Sequence, residues 1–255
     1  AKAVVKEVTA AKEAKAPEPN VYLTSEIEPI RPLAASGNNG LDLDGSHLEG
    51  GGQLLRNAVA YAAVLKREVR VRNVRSGRSP PGLRPSHLAA VEGVSRLAGG
   101  FCEGLAAGSM AFRYVKEQDN DIAELVVDAG TGGSTMLMLQ ALLPVMLAKS
   151  ATLKSAVRVT LQGGTNVCSP RDGKVTAPQV EYMQLVLFPM LRRLFGVNLE
   201  MDVHKKGFLG GGGEVVVRAS APYWPLPCFE LLDCGAVRSV SAAVYSSAGV
   251  PRHVL

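Results

Sequence analysis

The densest run of chemistry-bearing residues is Arg75-Ser-Gly-Arg-Ser-Pro-Pro-Gly-Leu-Arg-Pro-Ser-His87. Arg75, Arg78 and Arg84 lie in a loop stiffened by Pro80, Pro81 and Pro85. A stiff loop holds planar guanidinium forks at low entropic cost, and such forks match the oxygens of a phosphate. His87 falls at the start of the helix that follows. Upstream, Glu49-Gly50-Gly51-Gly52 turns into another helix, whose first turn carries Gln53 and, three residues on, Arg56. A helix start offers free N–H groups and the positive end of a dipole, and glycine lets another molecule approach the backbone. Both stretches therefore suit phosphate. Each also admits a plainer account: a turn closed by a capping Glu49, and a solvated basic loop with a capping histidine.

Other familiar sites are excluded by spacing. No Gly-Lys-Ser/Thr follows the first glycine turn, so it is not a P-loop. A second turn, Ala129-Gly-Thr-Gly-Gly-Ser134, approaches a dinucleotide fingerprint but has Thr135 where the last glycine should stand. The cysteines Cys102, Cys168, Cys228 and Cys234 form no CxxC pair and have no histidine at finger-like spacing, which reads as free thiols and not a zinc site. His47 and His204 are isolated, and His253 lies near the last residue. No Ser–His–Asp or Cys–His set is evident.

The elements that must position these residues form an internal repeat. Leu41–Asp44 reads as a strand, 53–66 as a helix with Leu54, Leu55, Ala58, Val59 and Ala62 on one stripe, and Val69–Val74 as an alternating strand. A helix over Ser86–Ala98 and strands near Phe101–Ala106 and Met110–Val115 complete the unit. The pattern then recurs: strand Leu125–Asp128, glycine turn, helix Ser134–Ala148, strand Val157–Gln162, a Gly/Pro loop, helix Gln179–Phe195, and strands Val197–Val203 and Glu214–Ala219. Both units read β-α-β-α-β-β, an α/β chain of the α+β type with helices on one face of a small sheet. Such repeats bury that face against a neighbour. The units span about 41–115 and 124–219, and a third begins near 230–255 with Glu230–Leu232 and Ala236–Tyr245.

Composition fits a globular protein: 255 residues, 47% hydrophobic, 20% charged. The most apolar stretch, Met136–Ala148, is short and carries Gln140 and Pro144, so it reads as a buried helix and no membrane partner is expected. Residues 1–40 are rich in Ala, Lys, Glu and Pro and read as a tail or linker. Their acidic residues argue against a transit peptide. Five basic residues there (Lys2, Lys6, Lys12, Lys15, Arg31) cancel five acidic ones (Glu7, Glu13, Glu18, Glu26, Glu28), so the net charge of +5 belongs to the remainder. That excess permits a polyanionic partner.

Taken jointly, the motifs resemble the RNA 3′-terminal phosphate cyclase family. The matching segments are Asp44 to Arg56 ("DGSHLEGGGQLLR"), Arg75 to Leu88 ("RSGRSPPGLRPSHL"), Ala129 to Gln140 ("AGTGGSTMLMLQ"), Gly163-Gly-Thr-Asn166 with Ala177-Pro178 and Tyr182, and Gly207-Phe208 with Gly211-Gly-Gly-Glu214. Ala248-Gly-Val-Pro-Arg-His253 is similar to the segment before the family's inserted small domain. The resemblance implies stacked βαβαββ repeats, related to those of the enolpyruvyl transferases. It also implies a reaction in which ATP adenylylates a histidine, AMP passes to an RNA 3′-phosphate, and the adjacent 2′-OH closes a 2′,3′-cyclic phosphate. The implied partners are ATP, Mg²⁺ or Mn²⁺, and RNA with a 3′-phosphate end, in an intracellular, nuclear setting. By motif position Glu49 would help bind metal or nucleotide phosphates. Gln53, Arg56 and Gln140 would line the ATP pocket, and Arg78, Arg84 and His87 would grip phosphate.

The sequence also departs from the family. No histidine here matches the nucleophile's motif, the loop Val167–Thr176 is longer than usual, and Leu209-Gly210 replaces the usual proline of the glycine loop. The alternative is a non-catalytic, cyclase-like RNA-binding factor in ribosomal RNA processing. The intact EGGGQ–R and AGTGGS segments favour the cyclase. An enolpyruvyl transferase would share the architecture but not explain the PGLRP loop. Without a full third repeat, the second should present an apolar face that promotes association.

Overall fold

A computed structural model describes residues 40–47, 50–130, 132–167, 176–208, 210–232 and 235–240. Residues 31–228 belong to one unit. A second unit includes residues from 229 onward, whose described parts, 229–232 and 235–240, carry no helix or strand. The expected third repeat otherwise lies outside the described residues, as does the tail up to residue 39.

The first repeat runs β1 (Gly40–Asp44), α1 (Gly52–Val64), β2 (Glu68–Arg72), α2 (Pro85–Ala98), β3 (Gly100–Glu103) and β4 (Phe112–Lys116). The second runs β5 (Glu124–Asp128), α3 (Thr135–Leu153), β6 (Val157–Gly163), α4 (Val180–Tyr182), α5 (Phe188–Phe195), β7 (Asn198–Lys205) and β8 (Gly213–Ser220). The sheets have the same topology, β1-β2-β4-β3 and β5-β6-β8-β7. In each, the first two strands are parallel across a helical crossover, and the last two are antiparallel. The β3–β4 hairpin is shorter than the apolar pattern suggests, because Gly104 and Gly108 turn the chain at positive φ.

The helical faces of the two repeats meet. Helix α3 packs on α1 and α2 on one side and on β6 and β8 on the other. It is therefore apolar over most of its circumference: Met136, Met138, Leu139, Leu142 and Met146 are all fully buried. This helix is long and apolar enough to cross a membrane, but its burial is that of a core helix. Gly93 lets α2 come close to β5; a Cβ there would sit 3.0 Å from Val127. At the far end, Lys149 of α3 ties the repeats together by donating to the carbonyls of Leu97 (2.8 Å) and Asn120 (2.7 Å) and to the Asn120 side chain (2.5 Å).

The expected helix Gln179–Phe195 is not regular. Between α4 and α5 the chain widens into a π turn over Met183–Leu187. Pro189 explains it: proline has no N–H to give to Leu185, and its ring clashes with that carbonyl in a regular helix. Leu185 and Val186 within this turn, Tyr182 just before it and Met190 just after it are exposed.

Candidate phosphate-binding site

The two predicted basic motifs come together at the start of α1. Gly51 is the N-cap and Gly52 the first helical residue, and no side chain caps them. The first amides of the helix thus lack intrahelical acceptors. A Cβ at Gly52 would lie 2.3 Å from His87 Nε2 and 2.9 Å from Arg56 Nη1. A Cβ at Gly51 would lie 3.7 Å from Arg78 Nη2. Three cationic or hydrogen-bonding groups from three parts of the chain thus converge where the backbone has no side chain.

Arg56 is only 8% exposed, and its Nε has no hydrogen-bond partner among the described residues. Burial alone lowers its pKa, and no described carboxylate offsets that. Arg75 shapes the loop. It adopts φ 51°, and its Nη1 donates to the carbonyls of Pro80 (3.2 Å) and Gly82 (3.0 Å). Burial, then repulsion from Arg84 and Arg78, lowers its pKa. Repulsion among these like charges is relieved when an anion binds between them.

His87 is the third residue of α2. Its Nδ1 accepts the Arg84 backbone N–H at 3.2 Å, as the capping account anticipated. The proton of the neutral ring therefore sits on Nε2, the nitrogen that faces Gly52. Burial, then Arg75, Arg56 and Arg84, push its pKa down to about 4. His87 is thus a neutral donor at physiological pH. With one nitrogen accepting and the other protonated, it has no lone pair for nucleophilic attack.

The second repeat frames this site without duplicating its charge. A Cβ at Gly133 would meet Ser86 at 2.6 Å, so the second glycine turn sits against the start of α2. Ser134 caps α3 by accepting the Leu137 N–H at 3.2 Å, and Thr135 Oγ1 donates to the Gly164 carbonyl at 2.9 Å. Fully buried Thr165 accepts the Gly207 N–H at 3.1 Å and donates to Asn166 Oδ1 at 2.7 Å, locking the Gly163–Asn166 segment to the glycine loop. Glu181 then receives Asn166 Nδ2 at 2.7 Å and Lys206 Nζ at 2.5 Å.

Of the other expected residues, Gln53 is exposed on the first turn of α1, beside the cluster. Gln140 is exposed on α3, and among the described residues no hydrogen bond joins it to the arginines. Glu49 lies outside the described residues, as do the loop residues 168–175 with Cys168 among them, Cys234 and Leu209. Among the described residues no group of His, Cys, Asp and Glu could hold a metal. The site fits a phosphate and not, on these residues, a cation. His204 pairs with Glu214 at 3.0 Å, and His47 is exposed on a turn. The sequence marked Thr165 only as part of the Gly163–Asn166 segment and gave it no role, since a buried latch has no local signature.

Comparison with known proteins bears on this geometry. A family profile described as RNA 3′-terminal phosphate cyclase matches residues 47–242. The chain belongs to the RNA 3′-terminal phosphate cyclase family. An RNA 3′-terminal phosphate cyclase of Hyperthermus butylicus is 37% identical over 213 residues, covering 83% of this chain and 55% of the relative. Those of Nitrosospira multiformis and Staphylothermus marinus are 36% and 33% identical, each covering 84% of this chain and 57% and 56% of the relative. The chain thus spans about half the length of the curated relatives it matches. The twin β-α-β-α-β-β sheets accord with this family's fold.

Proposed function

We propose that this chain supplies the phosphate-binding part of an ATP-dependent RNA 3′-terminal phosphate cyclase, converting a 3′-phosphate end to a 2′,3′-cyclic phosphodiester. The observation that carries the reading is Arg56, a buried guanidinium with no described partner, converging with Arg78 and His87 on Gly51–Gly52. A 3′-terminal phosphate is the RNA feature this cradle suits best. Its oxygens would take the guanidinium forks, the free amides of α1 and the His87 Nε2–H. The triphosphate of ATP has the same chemistry, so the cradle serves either phosphate.

The cyclase step activates the RNA phosphate by making one of its oxygens a leaving group as part of AMP. The 2′-OH then attacks phosphorus, the AMP bond breaks, and the hydroxyl proton is lost. Arg56, Arg75, Arg78 and Arg84 would offset the charge that builds on the phosphoryl oxygens. His87 would hold one oxygen without exchanging a proton. A divalent cation is part of the family's chemistry as the resemblance implies it, with Glu49 its motif residue. No role of the described residues depends on one.

On this reading the AMP-accepting histidine is none of His47, His87 and His204, since His87 has no free lone pair and His47 and His204 stand apart from the cradle's hydrogen bonds. The chain incubated with Mg²⁺ and ATP labelled in its α-phosphate should therefore retain no covalent label after denaturation, while binding RNA with a 3′-phosphate. A labelled chain whose label is lost on mutating His87 overturns the assignment. A second reading, a non-catalytic RNA-binding factor, is favoured by the same observation that none of the described histidines serves as the nucleophile. It differs in predicting RNA binding indifferent to the terminal phosphate.

A further inference from the structure

Beside the arginine cradle lies a second feature that phosphate binding does not use. Gly133 packs against Ser86, next to His87, and Gly130, three residues earlier, lines an open groove of about 490 Å³. The groove crosses the ends of β5, β6 and β8 and is walled by the glycine loop between β7 and β8. Strand register puts Asp128 opposite Gln162, Gln162 opposite Glu214, and Glu214 opposite Lys205. Four polar side chains therefore form one row.

The bonds within this row leave open groups. Gln162 Nε2 donates to Glu214 Oε2 at 2.9 Å, His204 Nδ1 meets Glu214 Oε1 at 3.0 Å, and Asp128 Oδ1 accepts the Gly130 N–H at 2.8 Å. The second Asp128 oxygen, the Gln162 amide oxygen and the Lys205 ammonium make no hydrogen bond among the described residues. In the first repeat Asp44, at the same strand end, gathers Ser46 N, Ser46 Oγ and Asn73 Nδ2 on its Oδ1, three donors where Asp128 Oδ1 has one among the described residues. Of the glycines lining the groove, Gly130 and Gly212 take positive φ and a Cβ at Gly163 or Gly213 would clash with backbone, whereas a side chain at Gly210 would meet nothing within 4 Å, so Gly210 keeps space open.

The same loop presents Phe208, 51% exposed, on a tight turn closed by the Gly211 N–H donating to its carbonyl at 2.9 Å. Gly164 brings this turn to the cradle's edge: its Cβ would lie 2.9 Å from the Gly132 carbonyl and 3.4 Å from the Phe208 carbonyl. An exposed aromatic face, acceptors for hydroxyl and amino protons, and one ammonium make up the chemistry of a ribonucleotide site. The ring stacks a base, the carboxylate takes a 2′-OH, and the lysine takes a phosphodiester.

We propose that this groove binds the nucleotide preceding the RNA's terminal residue, with Phe208 stacking its base, Asp128 and Gln162 reading its sugar and base edge, and Lys205 meeting its phosphate. The proposal rests on the cradle holding the terminal phosphate. It is tested by titrating uridine 3′-phosphate, and an RNA tetranucleotide ending in a 3′-phosphate, into the wild type, Phe208→Ala and Lys205→Ala. Both residues lie at the surface, and thermal melts confirm that the variants fold. The tetranucleotide should bind about tenfold more tightly than the mononucleotide, as one stacked base allows. Phe208→Ala should remove most of that gain, Lys205→Ala should reduce it, and the mononucleotide should be unaffected by either. Equal affinity for both ligands, or variants that weaken both alike, overturns the subsite and leaves the cradle standing. A tetranucleotide that needs Phe208 while the mononucleotide fails to bind rejects the cradle and keeps the subsite. Binding of neither rejects both.

Discussion

Replacing Arg56 by methionine should have two effects of opposite sign. Methionine has a similar reach and no charge, so it fills the space at the start of α1. In the free chain the guanidinium is buried with no described partner. Removing an uncompensated buried charge should stabilise the fold by about 1–2 kcal/mol. For a chain of this size that is a rise in Tm of roughly 2–8 °C. With phosphate bound, the same guanidinium makes charge-assisted hydrogen bonds, each contributing about 1.5–3 kcal/mol. Their loss should weaken binding of a 3′-phosphate by roughly 10- to 150-fold. Calorimetric melts and titration with a nucleoside 3′-phosphate measure the two quantities on the same samples. A methionine variant that melts lower and binds phosphate normally refutes the reasoning, because Arg56 would then be a structural cation with a partner of its own.

Other perturbations have definite outcomes. An unfolded histidine takes its proton near pH 6.5, whereas His87 in the fold resists protonation until about 4. In that window the unfolded state binds more protons, so the stability is full above 6.5 and is lost as pH falls. The loss should be about 2 kcal/mol after allowing for partial exposure. Urea titrations at pH 7 and 4.5 should show His87→Gln losing less stability than the wild type, and parallel losses would contradict this. Thr165→Val should cost about 1–3 kcal/mol by leaving the buried Gly207 N–H unpaired, with Thr165→Ser milder, as read by urea unfolding. The exposed Tyr182, Leu185, Val186 and Met190 should make the chain associate, and Leu185→Glu should reduce this in sedimentation velocity. A wild-type chain that stays monomeric at all concentrations would contradict it.

Much of this architecture was legible before any coordinates. The apolar stripe of α1 and the alternation of β2 identified their elements, and the recurrence of glycine turns revealed the repeat. The convergence of these arginines was legible because they are confined to one proline-stiffened loop and one helix start. The positions that remained hidden depend on distant contacts. The π turn arises from Pro189 acting on a carbonyl four residues back. The latch at Thr165 joins residues 42 positions apart in the sequence. The tautomer of His87 depends on the Arg84 amide, which only the folded loop presents. Gln140 rests on the family resemblance alone: it is exposed on α3 and the described bonds give it no partner.

The most direct test compares two RNA oligonucleotides of one sequence, ending in a 3′-phosphate or a 3′-hydroxyl, titrated into the wild-type chain and Arg56→Met. A cradle for the terminal phosphate predicts at least about tenfold tighter binding of the phosphorylated end by the wild type, a preference abolished in the variant. Equal affinity of the wild type for both ends would contradict it and leave a chain that binds RNA without recognising how it ends.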